Sequence, residues 1–232
     1  MIISSMSRKE AECRVRNVVS RCNIVDAGTM FVSIPEMNQQ HDPNFDIDLI
    51  DILLKKCSDQ GLTFDAVLGI PDSGVALAYA MSLYLRKPFI TTKKIPVNEE
   101  RNKLPDNEIL RGVVSQTWTD VVLTKGAPSF TSGSFNRFAF NMTHVTSNIK
   151  KLLVYDDVFA RSYSGLVTLE SLKLRGFDPT LVVCLQKRNE EGEKAVVDLI
   201  GRRVICAVKM NSISPATETT PAIVNLDRPY FS

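Results

Sequence analysis

The stretch Lys151-Leu152-Leu153-Val154-Tyr155-Asp156-Asp157 sets an unbroken apolar run directly before two adjacent carboxylates. A run this short, without the spacing of a surface helix, reads as a strand buried on both faces. The two acids then fall at its carboxyl end. Val158 to Ser164 reads as a loop, and Gly165 to Arg175 as a helix with Leu166, Leu169 and Leu172 inside. Gly176 suits a helix C-cap, and Leu181-Val182-Val183-Cys184-Leu185 is the next strand, closed by Lys187. Strand, crossover helix and strand in this order predict a parallel pair.

The same grammar appears upstream. Asp65 to Ile70 is a short buried strand that breaks at Pro71-Asp72-Ser73-Gly74. A helix follows to about Leu85, with Val75, Ala78, Met81 and Leu85 as its stripe, and Pro88 to Thr92 is a second strand ending in Lys93-Lys94. Residues 7–20 read as a helix, and Asp42-Pro43-Asn44 opens another over 44–60, with Ile47, Ile50, Leu53 and Leu54 as its apolar face. Its acids Asp46, Asp48 and Asp51 fit a solvated face near a helix N-terminus better than a metal site. Residues 95–112 are polar, with alternating charges and two prolines, and read as a mobile loop. Residues 113–142 suggest a hairpin or meander, 190–201 a short helix, Val204 to Val208 a last core strand, and Ala222–Leu226 an edge strand in the tail. The alternation predicts an α/β domain over 1–232, an open and mostly parallel sheet flanked by helices.

Composition narrows the function. With 232 residues and 44% hydrophobic content the chain can bury a core without staples. A net charge of +2 excludes a broad nucleic-acid-binding field. No apolar stretch is long enough to span a membrane, and no secretory signal is read at the start, so a cytoplasmic protein is expected. Five cysteines cannot form a complete internal disulfide set, and Cys184 and Cys206 read as buried thiols in a reducing compartment. Two histidines, His41 and His144, make a His/Cys zinc site a poor expectation.

In open parallel sheets, ligands bind beyond the carboxyl ends of the strands. Pro71–Gly74, Lys93–Lys94 and Asp156–Gly165 all fall there. Adjacent carboxylates accept hydrogen bonds from a vicinal diol or hold a magnesium-bound sugar, although the same spacing also suits a solvated strand end. Ser162 and Ser164, leading into a helix, offer a phosphate hydroxyl and backbone donors. Ser73 and Gly74 enter a second helix near Lys93 and Lys94 and suit a further anionic group.

Val154-Tyr155-Asp156-Asp157-Val158-Phe159-Ala160 with its following loop and helix resembles the phosphoribosyl-pyrophosphate (PRPP) signature of the type I phosphoribosyltransferases, nearest to their xanthine-using members. Met37 to Pro43, Asp72-Ser73-Gly74-Val75-Ala76, Ser129-Phe130-Thr131 with Thr143-His144, and Lys187 with Gly192 and Gly201-Arg202-Arg203-Val204 resemble further family segments in the same order. The likeness runs from about residue 22 to 210.

The resemblance implies a purine-salvage enzyme with a small hood from about 1–45 and 187–232, and 95–112 as a lid. A purine nitrogen attacks C1 of the ribose as pyrophosphate leaves, with Mg2+ as cofactor, in a protein expected to be a homodimer. By position, Asp156 and Asp157 would hold the ribose hydroxyls and contribute to the magnesium site. Ala160, Arg161, Ser162, Tyr163 and Ser164 would cradle the 5′-phosphate, and Ser73, Gly74 and Lys94 would face pyrophosphate. Asn38 and Lys187 would read the purine, the lysine favouring a 6-oxopurine: xanthine first, then guanine or hypoxanthine. Arg161-Ser162-Tyr163-Ser164 departs from the family by lacking a glycine, and Pro71-Asp72 replaces the usual Glu-Ser. The alternatives are an adenine-using enzyme and a non-catalytic PRPP-sensing regulator.

Overall fold

A computed structural model describes residues 7–26, 31–34, 42–128, 135–160, 163–187, 189–214 and 223–231. Its centre is the parallel pair of β9 (Lys151–Phe159) and β10 (Asp178–Lys187), in register from Lys151 opposite Asp178 to Phe159 opposite Gln186. Around this pair lie β3 (Ala66–Gly69), β4 (Phe89–Ile90), β11 (Ile205–Ser214) and β12 (Ile223–Leu226). The six-stranded order is β12-β11-β10-β9-β3-β4, parallel throughout except for β12. A two-stranded antiparallel ribbon of β1 (Asn23–Asp26) and β2 (Phe31–Ser33) stands apart from it.

The chain leaves β3 in one direction and β9 in the other. From β3 it passes through α3 (Gly74–Leu85) to β4; from β9 it passes through α6 (Tyr163–Leu174) to β10. Right-handed crossovers in opposite directions put the two helices on opposite faces. Leu77 and Met81 of α3 accordingly pack with Leu153, Tyr155 and Val182, whereas Leu169 and Leu172 of α6 pack with Leu152, Val154 and Val183. Alternate residues of β9 thus feed two cores, which explains why its sequence is apolar without interruption. Between β3 and β9 lies the point where the winding reverses.

The first face is completed by α1 (Arg8–Ser20) and α2 (Pro43–Asp59). Ser7 and Glu10 form a reciprocal capping box at α1, and Asp42 accepts from the Asn44 amide at 2.9 Å ahead of Pro43 in α2. The buried side of α2 is Phe45, Leu49, Ile50, Ile52 and Leu53, whereas Ile47 is exposed and Leu54 only partly covered. Asp48 is buried and lies 3.0 Å from the Arg14 guanidinium, so the expectation of a fully solvated acidic face fails there. Burial pushes its carboxyl above the usual range, against the opposing pull of Arg14. The second face carries α6, α7 (Glu190–Ile200) and Phe138 and Phe140 of a separate sheet.

That separate sheet corrects two expectations. The strand read over 88–92 divides at Thr91: β4 joins the parallel sheet, and β5 (Thr92–Val97) pairs antiparallel with β8 (Phe135–Asn141), which also pairs with β6 (Val121–Leu123) and β7 (Ala127–Pro128). Lys93 and Lys94 therefore lie inside a strand. Residues 95–112 carry regular structure, the end of β5 followed by α4 (Glu99–Asn102) and α5 (Asp106–Leu110). Ile95, Val97 and Ile109 are buried with Ala139, and buried Arg137 reaches Asp106 at 2.8 Å and the Thr124 carbonyl at 2.6 Å. The charged residues between them hid this small core from sequence periodicity.

The tail is also held. Glu12, 2% exposed, accepts the Tyr230 and Phe231 amides at 2.7 Å each. Arg16 pairs with Asp227 at 3.0 Å, and the buried Lys56 ammonium donates to the Cys206 and Ala207 carbonyls at 3.0 Å beneath the Tyr230 ring. Five free cysteines include buried Cys184 and half-buried Cys206. Among the described residues no helix is long and apolar enough to cross a membrane.

Candidate functional site

The turn 70–73 and the acid pair meet at the reversal point. Ile70 N donates to the Tyr155 carbonyl at 2.9 Å, which locks the start of the turn to β9. Gly74 then approaches so closely that a Cβ there would lie 2.8 Å from the Tyr155 carbonyl oxygen and 3.5 Å from Asp156 Cα. Only glycine permits this contact. The Pro71–Asp72 peptide bond is cis. Ser73 stands at the N-cap of α3 but makes no side-chain cap bond, unlike Ser7, Asp42, Asn98 and Asn189 on other helices. The N-terminal donors of α3 are therefore not closed off by their own cap residue, as a helix end that receives an anion requires.

Asp156 and Asp157 lie inside β9, short of its end at Phe159, so the expectation of acids at the strand terminus is corrected by two residues of further pairing with β10. Both are half-buried. Asp156 Oδ1 accepts the Asp157 amide at 3.0 Å, and Asp157 Oδ1 accepts the Val158 amide at 2.7 Å. Burial, then the neighbouring Asp157 charge, raises the Asp156 carboxyl well above its usual range. A pair in this state is stabilised by a proton, by hydroxyl donors or by a cation. On the same strand face as Asp157, the Tyr155 hydroxyl is fully buried and has no hydrogen-bond partner among the described residues.

No group of three or more His, Cys, Asp or Glu residues suited to a metal occurs among the described residues. The two carboxylates still fit magnesium, which takes one or two protein carboxylates and completes its shell with phosphate and water oxygens.

The remaining candidates divide into those that converge and those that lie elsewhere. Lys94 Nζ donates to Asp72 Oδ2 at 2.8 Å, bringing the separate sheet to the turn before α3. Lys93, one residue earlier in β5, turns to the Val113 carbonyl instead. Ala160 follows β9, and its carbonyl accepts from Asn189 Nδ2 at 2.7 Å. Tyr163 and Ser164 open α6, two residues ahead of the expected helix start. Arg161, Ser162, Asn38 and Ser129–Thr131 fall outside the described residues. Lys187 ends β10 and is buried, so it is not the solvated strand end that its position alone allowed. Thr143 Oγ1 accepts the Thr119 and Asp120 amides and serves the separate sheet, while His144 lines a small cavity with Pro88, Phe89 and Ile149.

Sequence reasoning missed Asn189 and Asp72. The first had a legible signal, an Asn directly before the acidic first turn Glu190-Glu191. The Asp72–Lys94 pair joins the turn after β3 to a strand of the separate sheet and has no local signal.

No family model matches the chain, and no curated protein matches it. Solved structures do. Adenine phosphoribosyltransferase from Rhodothermus marinus is 16% identical, with 86% of this chain and 98% of that chain covered at a TM-score of 0.59. The Giardia lamblia enzyme, complexed with 9-deazaadenine, is 14% identical over 90% of this chain and 100% of that chain, TM-score 0.59. The Trypanosoma brucei enzyme, in complex with AMP, pyrophosphate and ribose-5-phosphate, is 12% identical over 86% of this chain and 79% of that chain, TM-score 0.62. The fold is that of the type I phosphoribosyltransferases, a class of transferase.

Proposed function

We propose that this protein transfers the 5-phosphoribosyl group of PRPP to a purine base, giving the nucleoside 5′-monophosphate and pyrophosphate. One observation carries the reading: the Gly74 turn and the Asp156–Asp157 pair, far apart in sequence, close on one another where the sheet winding reverses. A sugar carrying phosphates at both ends needs such a double grip.

In this reading Asp156 and Asp157 accept the ribose hydroxyls. Residues Ala160 to Ser164 receive the 5′-phosphate ahead of α6, and Asn189 holds the Ala160 carbonyl. Ser73, Gly74 and Lys94 receive pyrophosphate. Magnesium, when bound through the phosphates and the acid pair, would neutralise charge on the leaving group. The protein orients the base and stabilises charge, and needs no covalent intermediate. Segments 1–45 and 187–232 form the hood, and 95–112 the lid.

The base is a 6-oxopurine, xanthine first, because Lys187 at the end of β10 supplies donors and no acceptor. A second reading, adenine as the base, is favoured by the adenine enzymes among the similar folds, one of them crystallised with adenine. The assay is turnover with magnesium, PRPP and each purine separately. Nucleotide from xanthine or guanine upholds the first reading, and nucleotide from adenine the second. PRPP binding without product from any base would make the protein a PRPP sensor and refute transfer. Sedimentation tests the expected homodimer.

A further inference from the structure

Asp72 is out of place in an anion cradle. It sits at the tip of the turn before α3 with its side chain 76% exposed, and its carboxylate holds Lys94 Nζ at 2.8 Å. The lysine arrives from the separate sheet, whereas the backbone of Ser73 and Gly74 forms the entrance of α3, which leaves the parallel sheet after β3. Charge and backbone donors for one ligand thus come from two bodies of structure, joined at this point by an ion pair whose acid repels that ligand. An exposed pair of this kind is weak, because water screens it and two flexible side chains must be ordered to form it. A ligand carrying several negative charges outbids a single carboxylate for the same ammonium.

We propose that Asp72 is an internal competitor for Lys94. It holds Lys94 when the turn is empty and yields it to a polyanion such as pyrophosphate, so that the product is bound less tightly than the bare lysine would bind it. The proposal rests on the reading that the 71–74 turn receives pyrophosphate. One consequence follows from the chemistry: discharge of pyrophosphate is assisted, because Asp72 recaptures the lysine as the anion leaves.

The test is calorimetric titration of the full chain with sodium pyrophosphate, without and with magnesium, in the wild type, Asp72→Asn, Lys94→Met and the double variant. Asp72 is exposed, so Asp72→Asn is expected to fold, and unchanged thermal unfolding with Asp72→Ser as a second substitution checks this. Asp72→Asn should tighten pyrophosphate about fivefold, the equivalent of an exposed ion pair at the upper end of its range. The gain should fall below about twofold in the Lys94→Met background, where there is no lysine left to release. Inorganic phosphate, used as a second titrant, should gain no more than pyrophosphate from Asp72→Asn, because both must break the same ion pair.

Equal tightening in both backgrounds would mean simple charge repulsion and would overturn the competitor role. Weaker binding in Asp72→Asn also overturns it: without magnesium this makes Asp72 a positioning group for Lys94, and only with magnesium it makes Asp72 a metal ligand. If the wild type itself takes up no pyrophosphate in either condition, the turn assignment fails and the proposal falls with it. That result is distinct from the preceding ones, in which the wild type binds.

Discussion

Gly74 lies against Tyr155 with no room for a side chain: a Cβ on the glycine would sit 2.8 Å from the Tyr155 carbonyl oxygen, and at ordinary contact distance, 3.5 Å, from the α-carbon of Asp156. Through this one contact the entrance of α3 is placed beside the acids of β9. Asp156, the carboxylate proposed to hold the ribose, is thereby also part of the wall on which the neighbouring turn rests.

Gly74→Ala should separate the two halves of the site. The new methyl must push α3 from β9, at about 1–3 kcal/mol of stability. PRPP affinity should fall at least about tenfold, since the turn then no longer sits against the acid pair. Thermal unfolding and PRPP titration measure both, and an alanine variant of wild-type affinity would show that the close approach is incidental.

Asp156→Asn should trade function for stability. The folded-state carboxyl titrates above its ordinary value of 3.8, so the folded chain holds the proton more tightly than the unfolded chain. Stability from this group is complete in acid and is lost as pH rises from the ordinary range through the raised one. The asparagine variant should therefore melt higher than the wild type at neutral pH, with the difference vanishing toward the ordinary carboxylate range. Thermal melts across pH decide the first point. Together with Asp157→Asn, the change should abolish ribose-phosphate binding, and retained turnover would rule out the assigned role.

Tyr155→Phe removes a fully buried hydroxyl that has no partner among the described residues. The shape is kept and the desolvation penalty is removed, so stability should rise by about 1 kcal/mol, or about 2–4 °C in Tm for a chain of this size. A fall in Tm would reveal that the hydroxyl is bonded in solution.

Lys187→Met preserves bulk at the buried end of β10 while deleting the donors. KM for the base should rise about tenfold or more, with KM for PRPP nearly unchanged, as expected when a hydrogen-bonding group to one substrate is lost. A uniform fall in kcat with both KM values intact would assign the lysine elsewhere.

Glu12→Gln weakens two charge-assisted bonds from the Tyr230 and Phe231 amides. The loss should be about 1–3 kcal/mol, with the tail beyond Asp227 becoming susceptible to carboxypeptidase. Equal digestion of variant and wild type would show that the tail is held by other means.

The parallel sheet was legible in the chain because its strands are buried on both faces and so are apolar without a break, as in 152–155 and 181–185. The longer helices were legible through their apolar stripes and, at α2, through its Asp42-Pro43 start, whereas α4 and α5 were not. The candidate site was legible as two fragments, a turn ending in Gly74 and a pair of aspartates. Only the folded chain decided that the fragments touch, because the contact depends on the reversal of winding between β3 and β9. It also decided which of two adjacent lysines faces the turn: alternation along β5 sends Lys94 to Asp72 and Lys93 to the opposite side. The small core of Ile95, Val97 and Ile109, and the clasp of Glu12 on Tyr230, bring together residues too sparse or too distant to leave a periodic mark. Local sequence carries local preference and burial pattern, whereas the pairing of charges across sheets is set by where the backbone finally places them.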